Sequence, residues 1–153
     1  MMLFLVLLSG AIQCLDMLDE EAIDAAPDVF IGSPVQGDGE TITILVEAAF
    51  RMRDATISPL DTVELPGAVS SEIGWHEVSS MVEHRDEGYL QSGRFYNAYD
   101  YPDWSDGCDV SFNLIVGVTY LFVLGDVPLL RSVEPVSGAS DPWVRYVLDV
   151  IED

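Results

Sequence analysis

The side chains best suited to chemistry fall into a few groups. His76-Glu77 and Glu83-His84 set imidazoles beside carboxylates, a donor set that zinc accepts. A secreted metal-dependent hydrolase would use His76, Glu77 and His84 in that way. The spacing speaks against it. The two histidines stand eight residues apart, whereas a helix offers two ligands to one ion at a separation of four. Asp103, Asp106 and Asp109 lie around Gly107 without the ligand pattern of a calcium helix-loop-helix site, which leaves only weak calcium binding open. There is no nucleophile elbow and no phosphate loop. The residues therefore point to a protein that is not an enzyme, with no cofactor and no metal.

Two cysteines, Cys14 and Cys108, and one aromatic stretch complete the inventory. In an exported chain a cysteine pair reads first as a disulfide. Closing so long a loop is worth about 4 to 5 kcal/mol in the chain-entropy picture. Phe95, Tyr96, Tyr99, Tyr101 and Trp104 crowd into ten residues, and interfaces favour Tyr and Trp. Core filling is the equal alternative for them.

Export is read from the first thirteen residues. Met1 to Gln13 carries no charged side chain, and its apolar run ends in Ser9-Gly10-Ala11, as a signal-peptide core does. That run is too short to span a bilayer, which takes about 20 apolar residues. Cleavage at this point would make Cys14 the first mature residue. The protein is then expected to be secreted or held in the cell envelope or periplasm, with lipidation of Cys14 as the minority route.

The elements that must position these groups follow from periodicity. DMLDEEAIDAA, residues 16 to 26, has helical spacing with acids between its apolar positions; Asp16 or Asp19 caps it and Pro27-Asp28 ends it. Strands are expected at 28–35, 41–50, 61–65, 109–115 and 118–124. Ile42, Ile44 and Val46 alternate with Thr41, Thr43 and Leu45, and Gln36-Gly37-Asp38-Gly39 makes the turn of a hairpin. Pro66-Gly67 closes the third strand, and residues 67–107 form a variable insertion without legible elements. A second helix, Ser140 to Glu152, has Asp141 or Ser140 as its cap, Pro142 in the first turn and an apolar stripe of Trp143, Val147, Val150 and Ile151. Successive strands without intervening helices argue for one antiparallel sheet or small barrel.

Charge narrows the partners. The 153 residues carry 27 acids against six arginines, with no lysine, for a net charge of −21. Such a surface repels phosphate backbones, so nucleic acid is a poor partner. The acids are spread along the chain, which fits a solvated, monomeric shell. Steering toward a basic partner is the sharper alternative.

Several of these pieces occur in a recognisable order. Cys14 and the short helix precede Asp28-Val29-Phe30-Ile31-Gly32 and Val35. Val46, Phe50 and Arg51 follow, and later Cys108, Phe112, Gly117, Tyr120, Leu121, Phe122 and Val123. The series resembles netrin-like modules and the N-terminal domains of tissue inhibitors of metalloproteinases, including their bacterial relatives. That resemblance implies a mainly β fold: an OB-type five-stranded antiparallel barrel over residues 14–153 with a short N-terminal and a C-terminal helix. It implies a Cys14–Cys108 bridge. It also implies a non-catalytic, protein-binding role, with a metalloprotease as the inhibitor-like partner and Cys14, Leu15 and Asp16 as contact residues. The family's additional cysteines are missing, as is its two-residue spacing between Phe112 and Gly117, here four residues.

Overall fold

The computed structural model describes residues 18–70, 112–125 and 132–153. These form a curled six-stranded sheet with two helices on its convex side. The first helix, α1 (Glu20–Ala25), is capped by Asp19, whose carboxylate accepts from the Ala22 N–H at 2.8 Å. The strands are β1 (Asp28–Gly37), β2 (Thr41–Arg51), β3 (Thr62–Ser70), β4 (Phe112–Ile115), β5 (Tyr120–Leu124) and β6 (Val133–Pro135). The closing helix, α2, runs from Pro142 to Glu152 with Asp141 as its cap.

The sheet order is β4-β3-β2-β1-β5-β6. Two expectations are corrected here. Among the described residues there are six strands, not five, because residues 133–135 add to the edge of β5. Nor is the sheet wholly antiparallel: β3 and β4 run parallel, with Gly67 opposite Phe112 and Ser70 opposite Ile115. The third strand also continues through Pro66-Gly67, where the sequence suggested a stop.

Curvature follows from the central strand. β1 slips register against β2 at three places, and each extra residue bends and coils the pair. Pro34 sits next to one of these shifts, beyond the last residue of β1 that pairs with β5, so its missing N–H breaks no ladder on that side. The curl brings Leu114 of β4 into one cluster with Tyr120, Phe122 and Val133 from the far end of the sheet. The result is a half-barrel.

Burial on the two faces explains the sequence pattern. Phe30, Ile42, Ile44, Val46, Tyr120 and Phe122 fill the concave side, where the Phe30 and Phe122 rings stack 4.7 Å apart. Val29, Ile31, Leu121 and Val123 face the convex side, beneath Ile23 of α1 and Trp143, Val144 and Val147 of α2. β1 and β5 are thus buried on both faces and read as unbroken apolar runs, whereas β2 alternates because its other face is half-open.

Arg51, at the end of β2, ties the convex layer together. Its guanidinium donates to the Asp24 carbonyl, to the Ala26 carbonyl at 3.0 Å and to the Ile151 carbonyl at 3.4 Å. It thereby serves the C-terminal carbonyls of both helices, where a cation suits the helix dipole. The Tyr146 hydroxyl adds a bond to Glu20 at 3.0 Å.

On the concave side Tyr120 is buried and accepts a hydrogen bond from the Ile115 N–H at 3.1 Å. Burial pushes its phenol up to about 12, against the smaller opposing effect of that bond. An unfolded tyrosine ionises near 10. The fold therefore favours the neutral form: stability is complete below pH 10 and declines as pH rises toward 12, by about 2 kcal/mol in all. Urea unfolding between pH 9 and 12 checks this, and Tyr120→Phe should flatten the decline. A decline of equal steepness in the variant would assign it to other groups.

Candidate functional site

At one end of the half-barrel the concave core opens to solvent. The start of β1 contributes Asp28 and Phe30, β3 contributes Val63, Glu64 and Leu65, and β5 contributes Leu124. Met52, Arg53, Asp54 and Ile57 come from the loop after β2. Together they enclose a hollow of about 580 Å³, within the range of small-ligand and anchor-residue pockets. Its floor is apolar and its rim is charged.

The loop 52–61 is built from short side chains that bond their own backbone. The Asp54 carboxylate accepts from the Thr56 hydroxyl at 2.6 Å and from the Thr56 N–H at 3.0 Å. Those two bonds, the hydroxyl's first, hold Asp54 below the usual carboxylate range, so it stays ionised. Asp61 accepts from the Ser58 N–H at 2.8 Å, and the Asp61 N–H closes a turn onto the Ser58 carbonyl at 3.0 Å. The ladder holds the base of the loop, with Leu60 N–H on the Val46 carbonyl at 2.8 Å and Val46 N–H on the Asp61 carbonyl at 2.9 Å. Arg53 closes the rim: its backbone N–H and its guanidinium all reach the Asp28 carboxylate, the guanidinium at 3.1 Å. Arg53 is half-exposed, so the pair positions the loop more than it stabilises the fold.

Ser58-Pro59-Leu60-Asp61 has proline first in the turn and a left-handed residue second, the pattern that normally takes glycine. Leucine stands there instead, at φ 78° and 81% exposed. Its side chain costs backbone strain and gains no burial. Leu60→Gly is expected to raise stability by up to about 1 kcal/mol, the relief of strain exceeding glycine's extra chain entropy. A lower melting temperature would show that the leucine is held by packing.

Cys14, Leu15, Asp16, Phe95, Tyr96, Tyr99, Tyr101, Trp104 and Cys108 lie outside the described residues. So do His76, Glu77, Glu83, His84, Asp103, Asp106 and Asp109. Among the described residues no three His, Cys, Asp or Glu side chains converge as metal ligands. No described helix is long and apolar enough to cross a membrane.

Sequence reasoning missed the mouth because Ile57, Leu60 and Leu65 look like ordinary core residues in a string of letters. The available signal was Ser-Pro-Leu-Asp, a glycine-type turn with a bulky residue in the glycine position. Comparison with family models, with curated proteins and with solved structures finds no match to this chain. The geometry of the mouth must therefore carry the functional reading by itself. A second hollow, between α1 and α2, is lined by Glu20, Glu21, Asp24, Asp149 and Asp153 with Tyr146 and Val150. Its lining is mostly carboxylate, in contrast to the apolar floor of the mouth.

Proposed function

We propose that this chain is an exported, non-catalytic protein-binding module on a curled sheet of the OB type, and that it engages its partner through the half-barrel mouth and the 52–61 loop. The observation that carries the reading is the apolar hollow opening at that mouth. Small β-barrels present ligand sites at their mouths and in their loops. Leu60 supports the same surface, since a strained and exposed apolar side chain stands where glycine would fit the turn. The netrin-like resemblance and the apolar leader add the expectation of export.

The test compares capture of a partner from secreted material by three forms of the full chain: the parent, Leu60→Gly and Val35→Asp. Val35 is an exposed residue of β1 that takes no part in the mouth. A partner held by the parent and by Val35→Asp, but lost from Leu60→Gly, supports the mouth. Equal capture by all three would overturn it.

A further inference from the structure

The mouth is apolar within and acidic at its rim. Among the described residues that line it, three are acidic, Asp28, Asp54 and Glu64, and one is basic, Arg53. Asp28 is engaged by Arg53, which leaves Asp54 and Glu64 to set the sign of the rim. Asp54 is locked in place by its bonds to Thr56 and stays ionised. Behind this rim stands a chain of net charge −21, whose field gathers cations and turns acidic segments away.

We propose that the mouth receives a polypeptide segment presenting one bulky apolar side chain flanked by lysine or arginine. This rests on the protein-binding reading of the mouth given above, and it names the partner's chemistry. The apolar side chain enters the hollow over Phe30, Ile57 and Leu124, and the flanking cations meet Asp54 and Glu64 at the rim. A polypeptide is favoured over a small amphiphile by Leu60. That side chain lies outside the hollow's lining but on the same loop as Ile57, so a molecule confined to the hollow would leave it in water. A second copy of this chain is disfavoured because it carries the same −21.

The experiment titrates the full chain with three fluorescein-labelled peptides, each with a central phenylalanine flanked on both sides by two lysines, two serines or two glutamates. Fluorescence anisotropy is read at low salt and at about 0.5 M salt, where the Debye length falls to a few ångströms. The lysine probe should bind about tenfold tighter than the serine probe, the gain that two rim charges supply at surface distances. The glutamate probe should bind weakest, and salt should erase the differences. Glu64→Lys should abolish the lysine probe's advantage over the serine probe, while Leu60→Gly should weaken all three.

Three equal affinities would overturn the charge inference and leave the mouth reading in place. No binding of any probe, or lysine-probe binding indifferent to both Leu60→Gly and Ile57→Asp, would overturn both. Dodecylamine displacing the lysine probe with an affinity untouched by Leu60→Gly would assign the hollow to a small cationic amphiphile and overturn the polypeptide.

Discussion

Asp141→Ala is expected to lower the unfolding free energy by about 3 kcal/mol, although the residue touches neither the sheet's concave core nor its mouth. Asp141 is 1% exposed and joins the chain after β6 to the start of α2. One carboxylate oxygen accepts from the Trp143 N–H at 2.8 Å. The other accepts from the Ser137 N–H at 3.0 Å and from its hydroxyl at 3.3 Å. Losing an N-cap alone costs about 1 to 2 kcal/mol. Here the alanine also strips buried donors of their acceptor, a further cost of about 1 to 3 kcal/mol. Asp141→Asn keeps an oxygen for Trp143 and should cost visibly less. Urea midpoints of the two variants, at unchanged slope, provide the measurement. A loss below about 1 kcal/mol for alanine would mean that α2 is fixed by its apolar stripe alone.

Gly32→Ala should be equally damaging, for the opposite reason: it adds an atom where there is no room. A Cβ at Gly32 would stand 2.7 Å from the Ile44 Cγ2 and 2.7 Å from the Leu45 carbonyl oxygen. A side-chain methyl can turn away, but a carbonyl within the β1–β2 ladder cannot move without breaking the pairing. Gly32 lies at one of the register shifts that coil β1. Relief would therefore have to flatten the strand that shapes the half-barrel. Overpacking of this kind costs about 3 kcal/mol at the upper end of its usual range. Gly39→Ala is the natural comparison, because a Cβ there meets nothing within 4 Å and only the positive φ of 98° resists it. A Gly32→Ala protein that melts no lower than Gly39→Ala would show that β1 tolerates the bulk.

The sequence speaks where local and tertiary forces agree. Ile42, Ile44 and Val46 announce β2 because only one face of that strand is fully buried. Asp19 and Asp141 announce both helix starts, since capping is a matter of a few neighbouring residues. β6 could not be read this way. Val133-Glu134-Pro135 is too short to show alternation and two of its three residues are poor strand formers, so it becomes a strand because the edge of β5 offers it partners. The direction of β4 was equally hidden, since an isolated apolar run says nothing about the neighbour beside which it will lie. In the mouth the obstacle is different. Leu60 carries the letter of a core residue, and its exposure is decided by a turn geometry that tolerates leucine without inviting it. The cysteine, histidine and aromatic motifs were the most visible chemistry in the sequence, and all of them fall outside the described residues.

The parallel contact between β3 and β4 has a bearing on how quickly the molecule can form. β1, β2 and β3 follow one another closely and zip as neighbouring hairpins, each closing a short loop. β4 must find β3 across the whole stretch from Ser70 to Phe112 and then lie alongside it in the same direction. Pairings that distant lower the folding rate far more than they alter stability, because the chain must be gathered before any contact rewards it. The closure that lays β4 along β3 is then a late event, and so is the half-barrel itself. Until it happens, the flank of β3 offers unpaired peptide groups beside Val63, Leu65 and Val69, the kind of surface on which one chain templates another. A charge of −21 on every copy, fully expressed at low ionic strength, keeps such incomplete molecules apart for as long as the search takes.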